Sequence, residues 1–381
     1  TTEIYTLSLH DALPIFIAHN FNDHDRRGNK VAYDYSYNIL QSCEPNSILF
    51  TNGDNDTFPL WYLQFVEGIR KDVRVVNLSL LNTPWYIKQL KSQEPKVPIS
   101  LKDEEIDMLE LIPWEKRTVR IPVRKDIHDF ALQELGLTHE TISMDDKAPE
   151  EVVLEVAPTL FDRALRVQDF MILNIIYANN WKKPINFAVT VSDDNKVNTD
   201  DYLRMDGLTF KLIPLKGQYV ARERLQHNLF EVFKFRNLDN PDVYYDDNVI
   251  GLLQNYRAAF LRLAQTYLRD QKHEQALQTL DRMEKVLPEK VIPVPDYRLT
   301  LQVGQLYEMA GRKGELTNRL LRVHEQEPDN GLVTSYLVTL LSRDGSHKQA
   351  ADILEKWVAR HPEDLEAKAR LEQERKDAAK P

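Results

Sequence analysis

Residues 47–78, SILFTNGDNDTFPLWYLQFVEGIRKDVRVVNL, carry the pattern that decides the fold of the first half of this chain. Two short apolar runs, residues 47–51 and 73–78, have the length and the flanking turn residues of buried strands. Between them, residues 59–68 are predicted to form a helix, because Pro59 can occupy a first helical turn without losing a hydrogen bond. The stretch therefore predicts a β-α-β unit with parallel strands and a right-handed crossover.

The same patterns extend this unit in both directions. We predict helices at 28–42, 84–91 and 159–180, and strands at 185–191 and 208–214. Residues 95–155 are polar and contain prolines, and are predicted to be an insertion or lid. Residues 17–220 are therefore expected to form an α/β domain with a Rossmann-like parallel sheet.

The C-terminal part has the spacing of tetratricopeptide-type helical repeats. A helical linker is predicted at 221–251, repeats at 252–365 and a charged tail at 366–381 that covers the end of the array. Helix-ending prolines are 40 and then 34 residues apart. Thr300 and Thr334 replace an expected large residue, and Leu316 an expected small one. The predicted repeat core consists of Phe260, Ala264, Tyr267, Ala276 and Pro288, then Gly304, Tyr307 and Pro328, then Ala350, Trp357 and Pro362.

The length and the net charge of the chain limit the kinds of protein it can be. The chain has 381 residues and a formal net charge of −10, so two or three globular domains are expected and nucleic-acid binding is not. The single cysteine, Cys43, cannot form an intrachain disulfide and is expected to be a core residue. The most apolar segment, residues 170–178, is half the length needed to cross a bilayer.

The first residues have an unusual sequence. Residues 1–16, TTEIYTLSLHDALPIF, resemble the translation of a sequencing adapter, which recurs at the ends of metagenomic reading frames. We expect this stretch to be an artefact that stands in place of natural upstream sequence. The alternative is a genuine N-terminal segment with a strand-like run at residues 4–9.

Polar side chains follow the predicted strands at the edge where open α/β sheets bind ligands. Asp54 and Asp56 have the D-x-D spacing that holds a divalent cation against a sugar nucleotide, and hard oxygen ligands suit Mg²⁺ or Mn²⁺. The alternative is structural: Asp56 or Thr57 caps the helix, while Gly53 and Asp54 shape the turn. The candidate ligand-binding residues are Asn52, Asp54, Asp56, Asn77, Asn82, Asp193 and Asp194, and the candidate metal ligands are Asp54 and Asp56.

A second polar cluster lies near the start of the chain. His19, Asp23, His24 and Asp25 stand close together in AHNFNDHDRRG. This cluster is a candidate metal or proton-transfer site, and the alternative is a polar connector with solvated charges.

Four longer motifs resemble one protein family. They are NDHDRRG at 22–28, FTNGDNDTFPLWY at 50–62, RVVNLSLLNTPWYI at 74–87 and TVSDDN at 190–195. Over roughly residues 18–300 the chain resembles the soluble C-terminal region of large bacterial membrane proteins, a family long catalogued as a domain of unknown function. That family is related to eukaryotic transmembrane protein O-mannosyltransferases with the GT-C glycosyltransferase fold.

The resemblance implies an activity for the full-length protein. It implies transfer of a sugar from a lipid-linked donor to protein hydroxyls on the extracytoplasmic face of the bacterial inner membrane. GT-C catalytic carboxylates lie between early membrane helices, so no catalytic residue is carried over to this sequence. The implied partners are an N-terminal transmembrane domain and an acceptor or partner protein. Two alternatives remain, a tetratricopeptide scaffold and an independent metal-dependent sugar-binding α/β domain.

Overall fold

A computed structural model describes residues 25–138 and 151–380 and divides the chain into two compact units. The first unit runs to Leu263 and also includes Val286–Ile292. The second consists of Ala264–Lys285 and Pro293–Pro381. The adapter-like residues 1–16 and three members of the polar cluster, His19, Asp23 and His24, lie outside the described residues.

Short helices and strands alternate through the first unit. Its helices are α1 (Val31–Ser42), α2 (Asp54–Phe65), α3 (Pro84–Ser92), α4 (Asp103–Asp107), α5 (Lys125–Leu135), α6 (Val167–Asn179) and α7 (Arg222–His227). Its strands are β1 (Ile48–Thr51), β2 (Arg74–Asn77), β3 (Ile112–Pro113), β4 (Arg117–Pro122), β5 (Glu151–Val156), β6 (Ala164–Leu165), β7 (Ile185–Ala188), β8 (Leu203–Met205), β9 (Thr209–Leu212) and β10 (Tyr219–Val220). The remaining helices are α8 (Asp247–Arg269), α9 (His273–Val286), α10 (Tyr297–Met309), α11 (Glu315–Gln326), α12 (Gly331–Arg343), α13 (His347–Arg360) and α14 (Leu365–Ala378).

The main sheet is mixed. Its strand order is β10-β8-β9-β7-β1-β2, in which β1 is parallel to both β2 and β7, while β9 is antiparallel to β7 and β8. The prediction of a parallel sheet is therefore correct for three adjacent strands and wrong for the sheet as a whole. The physical reason is the connection after β7, which contains short 3₁₀ turns and a tight β8–β9 hairpin, whereas parallel strands need a long crossover.

The three parallel strands form the centre of the core. Every residue of β1 and β7 is buried, which explains why both are mainly apolar and do not alternate between apolar and polar residues. Phe50 on β1 and Phe187 on β7 stack with ring centroids 5.0 Å apart. The predicted β-α-β unit is present, and α2 between its strands begins at Asp54, five residues earlier than its proline suggested.

The segment predicted as an insertion has sheets of its own. Strands β4 and β5 pair with each other in antiparallel register, and β3 pairs with β6, separately from the main sheet. Trp114 follows β3 and donates its indole N–H to the carbonyl of Val156 at 3.0 Å. A lid function for this segment stays a prediction.

The predicted helical linker, residues 221–251, is helical at its two ends and irregular between them. Helix α7 continues into a π-helical turn at Asn228–Val232, and irregular backbone follows up to α8. The polar, proline-containing run NLDNPD interrupts the helix here, and Asn237 takes a left-handed conformation with φ of 66°. Tyr245 anchors this loop by donating its hydroxyl to the carbonyl of Asn237 at 2.8 Å.

The second unit is all helical. Consecutive helices from α10 to α14 pack against each other across short connections. Their shared core is aliphatic and contains Leu316, Leu320, Leu337, Val338, Ala350 and Leu354. Of the residues predicted for the repeat core, Phe260 and Pro288 fall in the first unit, so the predicted boundary at residue 252 differs from the boundary between the compact units.

The predicted charged tail is largely α14, which is a packed helix. Asp364 begins it by accepting a hydrogen bond from the backbone N–H of Ala367 at 2.9 Å. Leu371 is buried in the core of the second unit, and Glu374 accepts a hydrogen bond from Ser342. Across residues 25–138 and 151–380, no helix is both long enough and apolar enough to span a membrane.

Candidate functional site

The turn between β1 and α2 is fixed by buried hydroxyl groups. The chain leaves β1 at Thr51 and turns at Gly53, whose φ of 76° strongly favours glycine. The hydroxyls of Thr51 and Thr57 lie 2.8 Å apart, and Thr57 also donates to the carbonyl of Gly53 at 2.7 Å. The amide of Asn77, at the end of β2, donates to Thr57 at 2.8 Å. The first turn of α2 is therefore held rigidly at the carboxyl edge of the parallel strands.

Asp54 and Asp56 have different environments in this turn. Asp54 is exposed, whereas Asp56 is partly buried and accepts hydrogen bonds from the Thr190 hydroxyl at 2.6 Å and from the backbone N–H of Asn52. Burial raises the pKa of Asp56 above its ordinary value, in spite of the lowering effect of these two hydrogen bonds. A carboxyl group with a raised pKa at the edge of a sheet marks a candidate functional site.

A cleft of about 1070 Å³ opens beside these two carboxylates, and we call it the β1 cleft. It lies wholly within the first unit and is formed by the start of α1, the first turn of α2 and the start of α8. Its lining combines charged, amide and aromatic groups. The lining residues used below are Arg26, Lys30, Arg236, Asp54, Asp56, Asp246, Asn29, Asn55, Asn248, Tyr33, Tyr35 and Phe58.

The cations of the β1 cleft are largely matched by carboxylates. Arg236 donates through Nε to Asp34 at 2.9 Å, and Arg26 lies 3.7 Å from Asp246. Tyr35 forms part of the buried side of the cleft and accepts a hydrogen bond from Asn255 at 3.0 Å. Burial raises the pKa of Tyr35 far above its ordinary value, so it remains a neutral phenol.

The structure brings only part of the predicted set of ligand-binding residues together. Asp54 and Asp56 line the β1 cleft, and Asn52 contributes its backbone N–H to Asp56. Asn77 is fully buried and bonds to Gly53, Thr57 and Leu80. Asn82 bonds to Gln168 through both its amide nitrogen and its oxygen, at 2.9 and 3.0 Å. Asp193 pairs with Lys196, and both Asp193 and Asp194 are exposed and do not line this cleft.

The structure tests the alternative in which Asp56 or Thr57 caps the helix and Gly53 and Asp54 shape the turn. Helix α2 is preceded by Gly53 as its N-cap, with no side-chain cap, so neither Asp56 nor Thr57 occupies the N-cap position. Asp54 and Asp56 lie in the first turn, where the helix dipole favours negative charge. In the part of the chain that the structure describes, no group of three or more His, Cys, Asp or Glu residues is arranged to hold a metal ion. The divalent cation at Asp54 and Asp56 stays a prediction.

Several cleft residues could not be identified from local sequence. Arg236 and Asp246 lie about 180 or more positions from the first turn of α2. Tyr35 falls on the apolar stripe of α1 and reads as an ordinary core residue. The aromatic Phe58, in contrast, has a local signal, because it stands two residues after Asp56.

A second, smaller cavity of about 190 Å³ is lined by part of a buried ion-pair network. The network is centred on Arg204, whose side chain is only 2% exposed. Arg204 bonds Asp206 at 2.6 Å and Glu134 at 2.8 Å. Lys211 pairs with Glu44 at 2.7 Å and with Glu134 at 3.2 Å. Although burial alone would raise it, Arg204 and Lys211 hold the pKa of Glu134 below its ordinary value.

Comparisons with known proteins relate this first unit to one family. TMEM260-associated domain 2 matches residues 32–110 and 133–229, which together are slightly less than half of the chain. The protein O-mannosyl-transferase TMEM260 of Mus musculus is 30% identical over 87 residues, which are 22% of this chain and 12% of the mouse protein. These matches support a relation to the TMEM260 family. The gap in the domain match, residues 111–132, lies within the predicted insertion. No solved structure matches the chain significantly.

We expect Asp56→Asn to raise the free energy of unfolding at pH 7. Because the pKa of Asp56 is higher in the folded protein than its ordinary value of 3.8, folding is disfavoured by ionisation of this group. This cost is absent below pH 3.8 and is complete above the raised pKa, so the gain should disappear in acid. Urea unfolding at several pH values measures it.

The matched control for Asp56→Asn is Asp54→Asn, in the same helical turn but exposed. This control should lower stability at pH 7 by about 0.3–1 kcal/mol, because it removes a charge that favours the helix N-terminus. Equal effects of the two substitutions would contradict the assignment of a costly charge to Asp56.

Proposed function

We propose that this chain is an accessory domain of a membrane-embedded protein O-glycosyltransferase of the O-mannosyltransferase type. In this proposal it lies on the periplasmic face of a bacterial inner membrane and positions acceptor or partner proteins. The observation that carries the proposal is the match of TMEM260-associated domain 2 to the α/β unit. The chain spans only about an eighth of the mouse O-mannosyl-transferase that it matches.

The helical unit supplies a surface for the protein partner. We interpret helices α10–α13 as two tetratricopeptide-type hairpins, because Gly304 allows α10 to approach Leu316 on α11 closely and the apolar core is continuous. In such repeats the first helix of each hairpin lines a peptide-binding groove. Gln305 on α10 donates to the hydroxyl of Tyr336 on α12 at 3.4 Å, so these first helices of the two hairpins lie side by side. A scaffold role for the repeats is the second candidate function.

The test uses the purified full chain and separates binding from catalysis. The probe is a fluorescent, unstructured Ser/Thr-rich peptide, with polyprenyl-phosphate mannose as sugar donor. We expect the peptide to bind with micromolar to millimolar affinity and to receive no mannose from this chain alone. Tyr336→Ala should weaken binding about tenfold, as is common for a buried aromatic contact. Trp85→Ala, an exposed aromatic residue of the first unit, is the control and should have no effect.

Two results would contradict the proposal. Mannose transfer by the isolated chain would mean that it carries its own catalytic site. If circular dichroism shows that the protein is folded and the peptide still does not bind, the positioning role is excluded.

A further inference from the structure

Aromatic rings contribute to the lining of the β1 cleft. Phe58 is 52% exposed and stacks on Trp61, with ring centroids 5.8 Å apart and ring planes inclined by 27°. Tyr33, which also lines the cleft, is held by two cations, Lys234 and Arg236, each 5.1 Å from its ring centroid. These rings are therefore held in place by neighbouring side chains while Phe58 remains accessible to a ligand.

Polar groups of two kinds line the same cleft. The carboxylates of Asp54, Asp56 and Asp246 are hydrogen-bond acceptors, and the amides of Asn29, Asn55 and Asn248 both donate and accept. Asp56 is oriented by its bond to Thr190, so its position is set before any ligand arrives. A few fixed polar groups beside apolar rings give a pocket its specificity for ligand orientation.

The charges of the cleft indicate a neutral ligand. Three cations, Arg26, Lys30 and Arg236, stand against three carboxylates, and two of the cations already face a carboxylate partner. The positive N-terminus of α2, which could otherwise attract a phosphate, carries Asp54 and Asp56 in its first turn. An anionic ligand would meet these carboxylates at close range.

We propose that the β1 cleft binds a neutral carbohydrate. The C–H face of a sugar ring would pack on Phe58, while its hydroxyls donate to Asp54 and Asp56 and exchange hydrogen bonds with Asn55. Carboxylate acceptors beside an aromatic platform match this ligand, which presents hydroxyl donors and an apolar ring face together. The volume of about 1070 Å³ accommodates more than a single sugar ring, so the ligand is an oligosaccharide or a glycan chain.

Sugar binding at this site goes beyond an accessory role in glycosyl transfer and does not depend on it. A chain that failed to bind the Ser/Thr-rich peptide could still bind sugar here, because the cleft lies wholly in the first unit. The two proposals therefore succeed or fail in separate measurements.

The experiment is titration calorimetry of the full chain with neutral oligosaccharides, using mannobiose, mannotriose, cellotriose and chitotriose as probes. Mannose 6-phosphate is the anionic comparison. We expect at least one neutral oligosaccharide to bind, and the phosphorylated sugar to bind more weakly. Asp56→Asn should weaken binding about tenfold, because it removes a charge-assisted hydrogen bond. Phe58→Ala should weaken binding by a similar factor through loss of the ring contact.

Two control variants match these substitutions outside the cleft. Phe65→Ala removes an aromatic side chain that is 73% exposed on the same helix, and Asp194→Asn removes an exposed carboxylate at another strand end. Neither should change the affinity. The proposal is overturned if no neutral sugar binds the folded wild-type chain, if the phosphorylated sugar binds more tightly, or if the control variants weaken binding as much as the cleft variants.

Discussion

Arg204→Met is expected to lower the free energy of unfolding at pH 7 by about 3–5 kcal/mol, since one partner of a buried ion pair is lost. Arg204 is among the largest fully buried side chains, and its guanidinium bonds Asp206, which has no solvent exposure, through both Nε and Nη2. The methionine would fill much of the volume but leave the Asp206 carboxylate buried without its main partner. Urea unfolding at pH 7 measures the loss.

The dependence on pH distinguishes a charge effect from a packing effect. Because the pKa of Glu134 is lowered in the folded protein, its ionised form adds stability above its ordinary value of 4.5, and this stability is lost as pH falls through the lowered value. The cost of Arg204→Met should therefore shrink in acid. Arg120→Met, which breaks an exposed pair with Glu151, should cost about 1 kcal/mol or less. A cost for Arg204→Met that does not change with pH would refute the electrostatic explanation.

Gly304→Val is expected to destabilise the helical unit by about 3 kcal/mol, at the upper end of the usual cost of overpacking. A Cβ at Gly304 would lie 2.8 Å from the Cα of Leu316 and 2.8 Å from its Cδ1. A backbone atom cannot rotate away from such a contact, so α10 and α11 would have to separate. Thermal unfolding followed by circular dichroism measures the effect.

The matched control is Gly251→Val, at a helical glycine in α8. A Cβ at Gly251 would meet no atom within 4 Å. Both substitutions change helix propensity in the same way, by a few tenths of a kcal/mol in favour of valine. The difference between them therefore reports the close approach of α10 and α11. Equal stabilities of the two variants would exclude this contact.

Regular elements were predictable where the apolar pattern was continuous. Strands β1, β2 and β7 and helices α1 and α3 lie close to their predicted positions, because buried strands and amphipathic helices have distinct periods. The direction of β9 was not predictable. The four residues of β9, TFKL, have the same pattern in a parallel or an antiparallel pair, and only the path of the chain after β7 decides between the two directions.

Only the part of the candidate site that follows β1 was predictable from the sequence. The general position of Asp54 and Asp56 follows from the rule that ligands bind beyond the carboxyl ends of parallel strands. The rule cannot distinguish Asn77, whose amide holds the turn, from Asp56, which lines the cleft. The far wall comes from Arg236 and Asp246, and their approach is a tertiary contact without a local signal.

The division of the chain also has an evolutionary consequence. After entering the second unit at Ala264, the chain returns to the first unit for the short segment Val286–Ile292. Arg257 holds this segment by donating to the carbonyls of Leu287 and Ile292 at 2.7 and 2.6 Å. No single cut in the chain separates the two units. Recombination at a single pair of chain positions could therefore not exchange the whole helical unit. We expect insertions and losses of repeats beyond residue 293, because from there on the chain stays within the second unit.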